Sequence, residues 1–105
     1  MIPDELLRAI RNDLPMKDTI LWLGRHGPPS KMFEGYFRFL CPGCGELRAT
    51  IHPRTNLAHC FCCDRNYNNI DLLIALGHDF LSAVDLLEQL LERHRSRPAE
   101  SVSAR

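Results

Sequence analysis

Two leucine-rich segments with helical spacing flank a central segment in which apolar and polar residues alternate. Near the start of the chain, apolar residues recur every three or four positions, at Leu6, Leu7, Ile10 and Leu14. Pro3 suits the first turn of this helix, and Pro15 ends or bends it. Residues 16–23 form a second short helix that stops at Gly24, so the pattern predicts two N-terminal helices.

The central segment has the period-two pattern of β-strands. Residues 36–40 and 47–52 are rich in aromatic, β-branched and alternating apolar positions. Residues 53–56 have turn composition, and residues 57–61 then form the returning strand. Residues 25–30, which contain two prolines, are expected to be a loop. The pattern therefore predicts three short antiparallel strands.

A short helix is predicted directly after the strands, over residues 70–76. Asn68 or Asn69 can cap its start, because both side chains can accept a hydrogen bond from a backbone amide of the first turn. Gly77 can close its end.

A longer helix follows over residues 82–94, where Ser82 and Asp85 fit a capping box. Its apolar stripe is expected to pack in the core. We treat residues 1–94 as one domain, and we expect residues 95–105, which are mostly polar, to be a disordered tail.

Composition narrows the class of protein. The chain has 105 residues, a formal net charge of zero and 45% hydrophobic residues, which fits one small folded domain. It has no apolar run long enough for a transmembrane helix, and its acidic start lacks the features of a secretory signal. We therefore expect a cytoplasmic protein that does not bind membranes.

Charge is unevenly distributed along the chain. Residues 25–66 carry six Lys or Arg and three Asp or Glu, whereas the segments on either side are net acidic. A role in binding nucleic acid would depend on this local basic segment, since the whole chain is neutral.

The five cysteines lie within the basic segment, and their spacing is the strongest chemical signal. Cys41 and Cys44 form one C-x-x-C pair, and Cys60 and Cys63 form a second pair fifteen residues later. Two such pairs at this separation have zinc-ribbon spacing, because each turn can place two thiolates at the corners of a tetrahedron. The sequence predicts one structural Zn²⁺ bound by these four residues.

Other interpretations of the cysteines are weaker. A redox dithiol would need a βαβ context, and a catalytic zinc would need an open coordination position that four thiolates do not leave. Cys62 could replace Cys63, but the resulting C-x-C pair is a poorer turn, so we expect Cys62 to be a free thiol. His52 and His59 are alternative ligands by residue type; His59 is expected to point away from the metal because it neighbours Cys60 on a strand.

The predicted strands also offer a basic and aromatic surface. Tyr36 and Arg38 share one face of the first strand, and Arg48 and His52 share one face of the second. Which face of the first strand joins the Arg48 face depends on the register, which remains open. These four residues, with Arg54 in the turn, are the candidate contacts to single-stranded DNA through stacking and phosphate binding. Lys31 and Arg25 could add phosphate contacts.

Several motifs together resemble one known family. The chain contains, in order, the motifs Tyr36-Phe37-Arg38-Phe39-Leu40-Cys41-Pro42-Gly43-Cys44, His59-Cys60-Phe61-Cys62-Cys63, Ile70-Asp71-Leu72-Leu73 and Phe80-Leu81-Ser82-Ala83-Val84. They resemble the N-terminal zinc-binding domain of bacterial and phage DNA primases, over about residues 14–94. Three positions depart from the family pattern: Cys44 replaces the usual His ligand, Cys62 replaces a Gly, and residues 64–69 replace a Gly-rich loop.

The resemblance implies a function. In primases this domain is thought to read the single-stranded template and to position it for a separate catalytic domain. We therefore expect a freestanding primase-type zinc ribbon that binds single-stranded DNA and assists priming or replication. It would act in trans to a primase or replication partner, on a phage, plasmid or other mobile element. We expect no catalysis, since no nucleophile–base pair, paired carboxylates or phosphate loop stands out.

The expected fold class is a small α+β zinc-binding domain, with a three-stranded antiparallel zinc-ribbon sheet flanked by N- and C-terminal helices. An alternative function is a protein–protein adaptor or regulator without DNA affinity, in which the ribbon is only structural. In that case the Leu-rich helices would expose an apolar surface to a partner.

Overall fold

The computed structural model describes residues 2–96, and its N-terminal part is helical as predicted. Helix α1 spans Asp4–Asn12 and helix α2 spans Met16–Leu23. Pro15 separates them in an extended conformation, because its ring fixes φ and it donates no backbone hydrogen bond. A 3-10 turn, Gly24–His26, follows α2, and Gly24 ends the helix with a positive φ of 56°.

The sheet has five antiparallel strands, so the predicted three-stranded ribbon is wrong in extent. Its strands follow chain order: β1 (Ser30–Phe33), β2 (Tyr36–Phe39), β3 (Ala49–His52), β4 (Leu57–Cys60) and β5 (Asn66–Tyr67). Strands β2, β3 and β4 correspond to the three predicted strands. The two additional strands lie at the edges of the sheet.

Strand β1 was missed because its residues show no alternating pattern of burial. Three of its four residues are exposed, and the prolines before it have loop composition. A two-residue turn joins β1 to β2 at Glu34 and Gly35, both with positive φ. This geometry is typical of tight hairpins, because its twist matches that of the paired strands.

The last two helices lie near their predicted positions. Helix α3 spans Asn69–Ala75, and Asn68 caps it: its side chain accepts a hydrogen bond from the Asp71 amide at 2.8 Å, while Asp71 accepts one from the Asn68 amide. Asn68 is therefore the cap, and Asn69 is buried.

Helix α4 spans Phe80–Ser96, so it starts two residues before the predicted position and ends two residues after it. The predicted capping box at Ser82 is wrong. Asp79 caps the helix instead, and its Oδ1 accepts a hydrogen bond from the Ser82 amide at 2.8 Å. Of the predicted tail, only residues 95–96 lie in the described part, where they continue α4; residues 97–105 lie outside it.

Two apolar clusters fill the interior. The sheet-side core lies between the inner face of the sheet and helices α2 and α3; its largest members are Met16, Ile20, Phe37, Phe39, Ile51, Tyr67 and Leu72. The helix-side core joins α1, α3, α4 and the end of α2; its largest members are Ile10, Leu14, Leu23, Ile70, Leu73, Leu87, Leu90 and Leu91. The leucine stripes of α3 and α4 are therefore covered.

Two asparagine side chains connect these layers at the corner between α1 and α2. The buried Asn69 donates hydrogen bonds to the carbonyls of Ile10 and Leu14 at 2.9 and 2.7 Å, and it accepts one from the Thr19 hydroxyl. Asn56, in the β3–β4 turn, also donates to Leu14 at 2.7 Å. Carbonyls that α1 leaves unpaired at its end are thereby satisfied, and the sheet is fixed to the helices.

Candidate metal centre and outer sheet face

The structure brings the four predicted cysteine ligands together. The Sγ atoms of Cys41, Cys44, Cys60 and Cys63 all lie within 4.8 Å of one another. The Sγ atoms of Cys41 and Cys63 are 3.7 Å apart, and those of Cys44 and Cys60 are 3.6 Å apart. Sulfurs bound tetrahedrally at about 2.3 Å from a zinc ion would lie about 3.8 Å apart. The four thiols therefore fit a single metal ion.

The two cysteine turns share one backbone geometry. The amide of Cys41 donates to the carbonyl of Glu46, and the amide of Cys60 donates to the carbonyl of Arg65, both at 2.9 Å. Both turns thus close over the same number of residues. Because the chain repeats the same turn, each pair of sulfurs is presented to the shared centre in the same way.

Each turn also needs one residue in the left-handed region directly after its second cysteine. Gly45 has a φ of 80° and Asp64 has a φ of 64°. Their amides donate to the carbonyls of Cys41 and Cys60, respectively, at 2.8 Å. Glycine adopts this conformation without strain, and aspartate is among the residues that tolerate it.

Gly43 is required for a different reason, which is close packing. A Cβ atom at this position would lie 2.9 Å from both the Tyr67 hydroxyl and Arg65 Cδ. The amide of Gly43 donates to Cys41 Sγ at 3.3 Å, and the Tyr67 hydroxyl is hydrogen-bonded to the same sulfur at 3.1 Å. Such contacts around the ligands orient them and tune the metal site.

The thiols do not ionise alike when no metal is present. Burial acts to raise the pKa of Cys41, but hydrogen bonds from Tyr67 and from the Cys44 and Gly43 amides outweigh it and lower the pKa to about 6. The Glu46 amide acts to lower the pKa of Cys44, but burial and the neighbouring thiols raise it to about 12. Thiolates this close together repel one another, and a divalent cation would offset that repulsion. Metal binding is therefore expected to release protons from the thiols.

The alternative ligands lie elsewhere. Cys62 is exposed and outside the four-cysteine group, as expected for a free thiol. His59 Nδ1 is 2.8 Å from Asn66 Oδ1, and His59 Nε2 is 3.2 Å from Asp64 Oδ1. His59 therefore points away from the centre. The His52 ring accepts a hydrogen bond from the Arg54 amide at 3.2 Å and lies outside the four-cysteine group. Within residues 2–96, the four cysteines are the one cluster of this kind that could hold a metal.

The strand register shows which face of β2 lies on the same side of the sheet as the polar face of β3. Arg38 pairs with Thr50, and Thr50 pairs with His59. On the outside, Lys31 of β1 pairs with Arg38, and Asn66 of β5 pairs with His59. Since paired residues share a face, these five side chains form one row across the sheet, on the side opposite Cys60. We call this side the outer face.

Three of the five predicted DNA contacts lie together on the outer face. Tyr36, Arg38 and His52 line a shallow groove with a volume of about 400 Å³. Arg48 and Arg54 do not line it: both are exposed, one just before β3 and the other in the turn just after it. These two arginines therefore lie at opposite ends of the strand that forms the floor of the groove.

Sequence reasoning missed three aromatic side chains of the outer face. The Arg38 guanidinium carbon lies 4.3 Å from the centre of the Phe33 ring, and Lys31 Nζ lies 5.5 Å from it. The rings of His59 and Phe61 meet edge to face at 4.8 Å. Phe33 was missed because the predicted loop ends at residue 30 and no strand was assigned to residues 31–33; His59 and Phe61 were considered only as neighbours of the metal ligands.

The fold and the site define a small α+β protein with a four-cysteine centre that could hold a metal ion. No family model matches the sequence, and no curated protein matches it at a significant level. The resemblance to primase zinc-binding domains therefore rests on the motifs themselves. Among the helices of residues 2–96, none combines the length and apolarity needed to cross a membrane.

Proposed function

We propose that this protein is a zinc-binding domain that binds single-stranded DNA on its outer sheet face. The observation that carries the proposal is that exposed aromatic and cationic side chains share this face, in one register. Sheet surfaces that bind single strands combine these two features, because rings stack on bases while cations attract the phosphates.

Zinc is the ion that the donor set favours. Four thiolates are soft ligands, and they are arranged with the sulfur separations of a tetrahedron. When bound, zinc would supply structural cross-linking between the two cysteine turns, since four protein ligands leave no position for a reacting water.

The position of the centre also favours binding on the outer face. Cys60 points into the protein, whereas its neighbours His59 and Phe61 belong to the outer face. The negative charge of a zinc tetrathiolate would thus lie on the opposite side of the strand from the groove. Arg38, together with the exposed Arg48, would face the phosphates without being directly paired to that charge.

The primase resemblance extends this proposal to a biological role. The domain would hold a template strand for a primase or another replication protein, and it would assist priming without catalysing a reaction itself. The adaptor hypothesis has less support: Ile74, Phe80 and Leu81 are exposed on α3 and α4, but the main apolar stripe that it required is covered. Ile70, Leu73, Leu87 and Leu91 of that stripe are buried in the helix-side core.

The test is fluorescence anisotropy of the zinc-loaded protein with labelled single-stranded and duplex oligonucleotides over a range of salt concentrations. We expect a preference for single strands that weakens steeply with salt. The double variant Arg38→Ala/Arg48→Ala should lose most of the affinity, and its log–log salt slope should fall by about 1.4 if both side chains contact phosphate.

A matched control removes two other positive charges. Arg8 and Arg93 are exposed on α1 and α4, in the helical layer. Arg8→Ala/Arg93→Ala should bind almost as tightly as the unaltered protein, which separates a local site from a general effect of charge. Equal losses in both double variants would refute the site, and no binding at low salt would refute the function.

A further inference from the structure

The groove on the outer face has the shape of a slot between two walls. Arg38 on β2 and His59 on β4 each pair with Thr50 on β3. Thr50 has a small side chain, so the two larger side chains stand on either side of a low floor. Strands β2 and β4 are two spacings apart, which is about 9.6 Å. This spacing leaves room for a planar ring between the two side chains.

A side chain from an edge strand supports each wall. On one side, the Phe33 ring stacks against the Arg38 guanidinium at 4.3 Å. On the other side, Asn66 holds His59 through a hydrogen bond of 2.8 Å. Phe33 does not line the groove itself, so it contacts Arg38 from the β1 side and leaves the groove side of Arg38 for a ligand. Both walls are thereby held in place before anything binds.

Two residues that line the groove each contain a buried polar atom without a partner. Among the described residues, Arg38 Nε and Thr50 Oγ1 are buried and make no hydrogen bond. Buried polar groups without partners are costly, so a ligand with hydrogen-bonding groups along its edge would be favoured if the Arg38 and Thr50 side chains turn toward it. A nucleobase combines such an edge with a flat ring for the walls.

We infer that the slot between Arg38 and His59 receives one nucleobase of the bound strand, with Phe33 as the positioning residue that holds Arg38 flat. This inference rests on the proposed function, because it describes how the same face recognises its ligand. It adds that the base itself is recognised, so that a sugar–phosphate chain alone is a poor ligand. A paired base in a duplex cannot enter, since both of its faces are already stacked.

The first experiment compares two labelled eight-nucleotide strands of equal charge. One carries all its bases and the other has abasic sites at its three central positions. Base–aromatic stacking is strong enough that we expect the abasic strand to bind at least about tenfold more weakly. If the abasic strand binds as tightly as the intact one, the slot is overturned, whereas the proposed function stands as phosphate binding. If neither strand binds at low salt, both are overturned.

Variants of the protein test the two supporting residues. Arg38→Lys retains the charge but loses the planar group, so we expect several-fold weaker binding with an unchanged salt slope. Phe33→Leu should have a similar effect through Arg38. The matched controls are Arg93→Lys and Phe80→Leu, because Phe80 is exposed to a similar extent as Phe33, on α4. Equal effects of the Phe33 and Phe80 variants would overturn the role of Phe33.

A spectroscopic measurement reports stacking independently of affinity. A strand with 2-aminopurine at its centre should lose fluorescence on binding, and this quenching should be smaller in Arg38→Lys at saturation. Competition with a free mononucleotide shows whether the slot prefers a base that belongs to a strand. A mononucleotide that competes as well as the strand would overturn the assignment to a strand-borne base.

Discussion

The two cores of this protein are stabilised in different ways. The helix-side core is built almost entirely from leucine, isoleucine, valine and alanine side chains on the four helices. The sheet-side core contains small residues, including Ala49 and Ala58, and it is continuous with the four cysteines. The strands have only two to four residues, and β2 and β4 lead directly into the two cysteine turns that a metal would join, so a metal cross-link has a larger share in the stability of this region. Burial can stabilise the helical layer without it.

Removal of the metal should have the largest effect and should separate the two regions. Structural zinc contributes on the order of 10 kcal/mol to the folding of small zinc domains. With a chelator, we expect amide hydrogen exchange to accelerate strongly in β3 and β4, while α4 retains part of its protection. Metal analysis of the same sample is the control. Equal acceleration in α4 and the sheet would show that the two regions unfold as one unit.

A cavity in the helix-side core should lower the free energy of unfolding by less than loss of the metal does. Leu87 is 1% exposed, and Leu87→Ala should lower the free energy of unfolding by about 2–5 kcal/mol in denaturant titrations of the zinc-loaded protein. Leu81, on the same helix, is 68% exposed, and Leu81→Ala should change it by less than about 0.5 kcal/mol. Similar losses in the two variants would contradict the assigned core.

The connection between the regions can be tested at Asn69. Asn69→Ala removes the hydrogen-bond partners of the Ile10 carbonyl and the Thr19 hydroxyl, so we expect a loss of about 1–3 kcal/mol. Asn12→Ala, at an exposed position on α1, is the control. If Asn69 couples the layers, its replacement should also let the sheet exchange amide protons independently of α4. An unchanged exchange pattern would argue against that coupling.

The smallest expected effect is the loss of the Asp79 cap at the start of α4, and the stabilisation from this cap depends on pH. Hydrogen bonds from the backbone amide and the hydroxyl of Ser82 hold the pKa of Asp79 below its ordinary value. Because the folded pKa is lowered, the ionised cap stabilises the helix above the unfolded pKa, and the stabilisation is lost as pH falls through the folded value.

Thermal unfolding at several pH values tests the cap. Asp79→Ala should have a slightly lower midpoint than the unaltered protein near neutral pH, and this difference should narrow in acid. Glu92→Ala, near the other end of α4, should show no such narrowing. A difference that widens as the pH falls would contradict the assigned cap.

Much of the metal site could be predicted from local sequence. Two C-x-x-C turns determine which sulfurs can converge, and the C-x-x-C rule correctly separated Cys63 from Cys62. The conformations around the turns were less predictable. Asp64 takes the left-handed position that Gly45 takes in the first turn, and composition alone does not show that an aspartate will do so.

The candidate binding face was only partly predictable. The alternation of apolar and polar residues placed Arg38 and His52 on the polar faces of their strands. It did not determine which face of β2 lies beside which face of β3. A shift of one residue would have moved Arg38 to the side opposite Thr50. Strand β1 was missed because its residues do not alternate between buried and exposed, and β5 was missed because two residues are too few for a periodic pattern.

The sequence by itself determined the four cysteines, the three central strands and the apolar stripes of the helices, because turn chemistry and periodicity act over a few residues. The tertiary structure decided the two edge strands, the register, and therefore the union of Phe33, Arg38 and His59 on one face. These features depend on hydrogen bonds between residues far apart in the chain. Their energies are set by how whole strands fit together, and no short stretch of sequence contains that information.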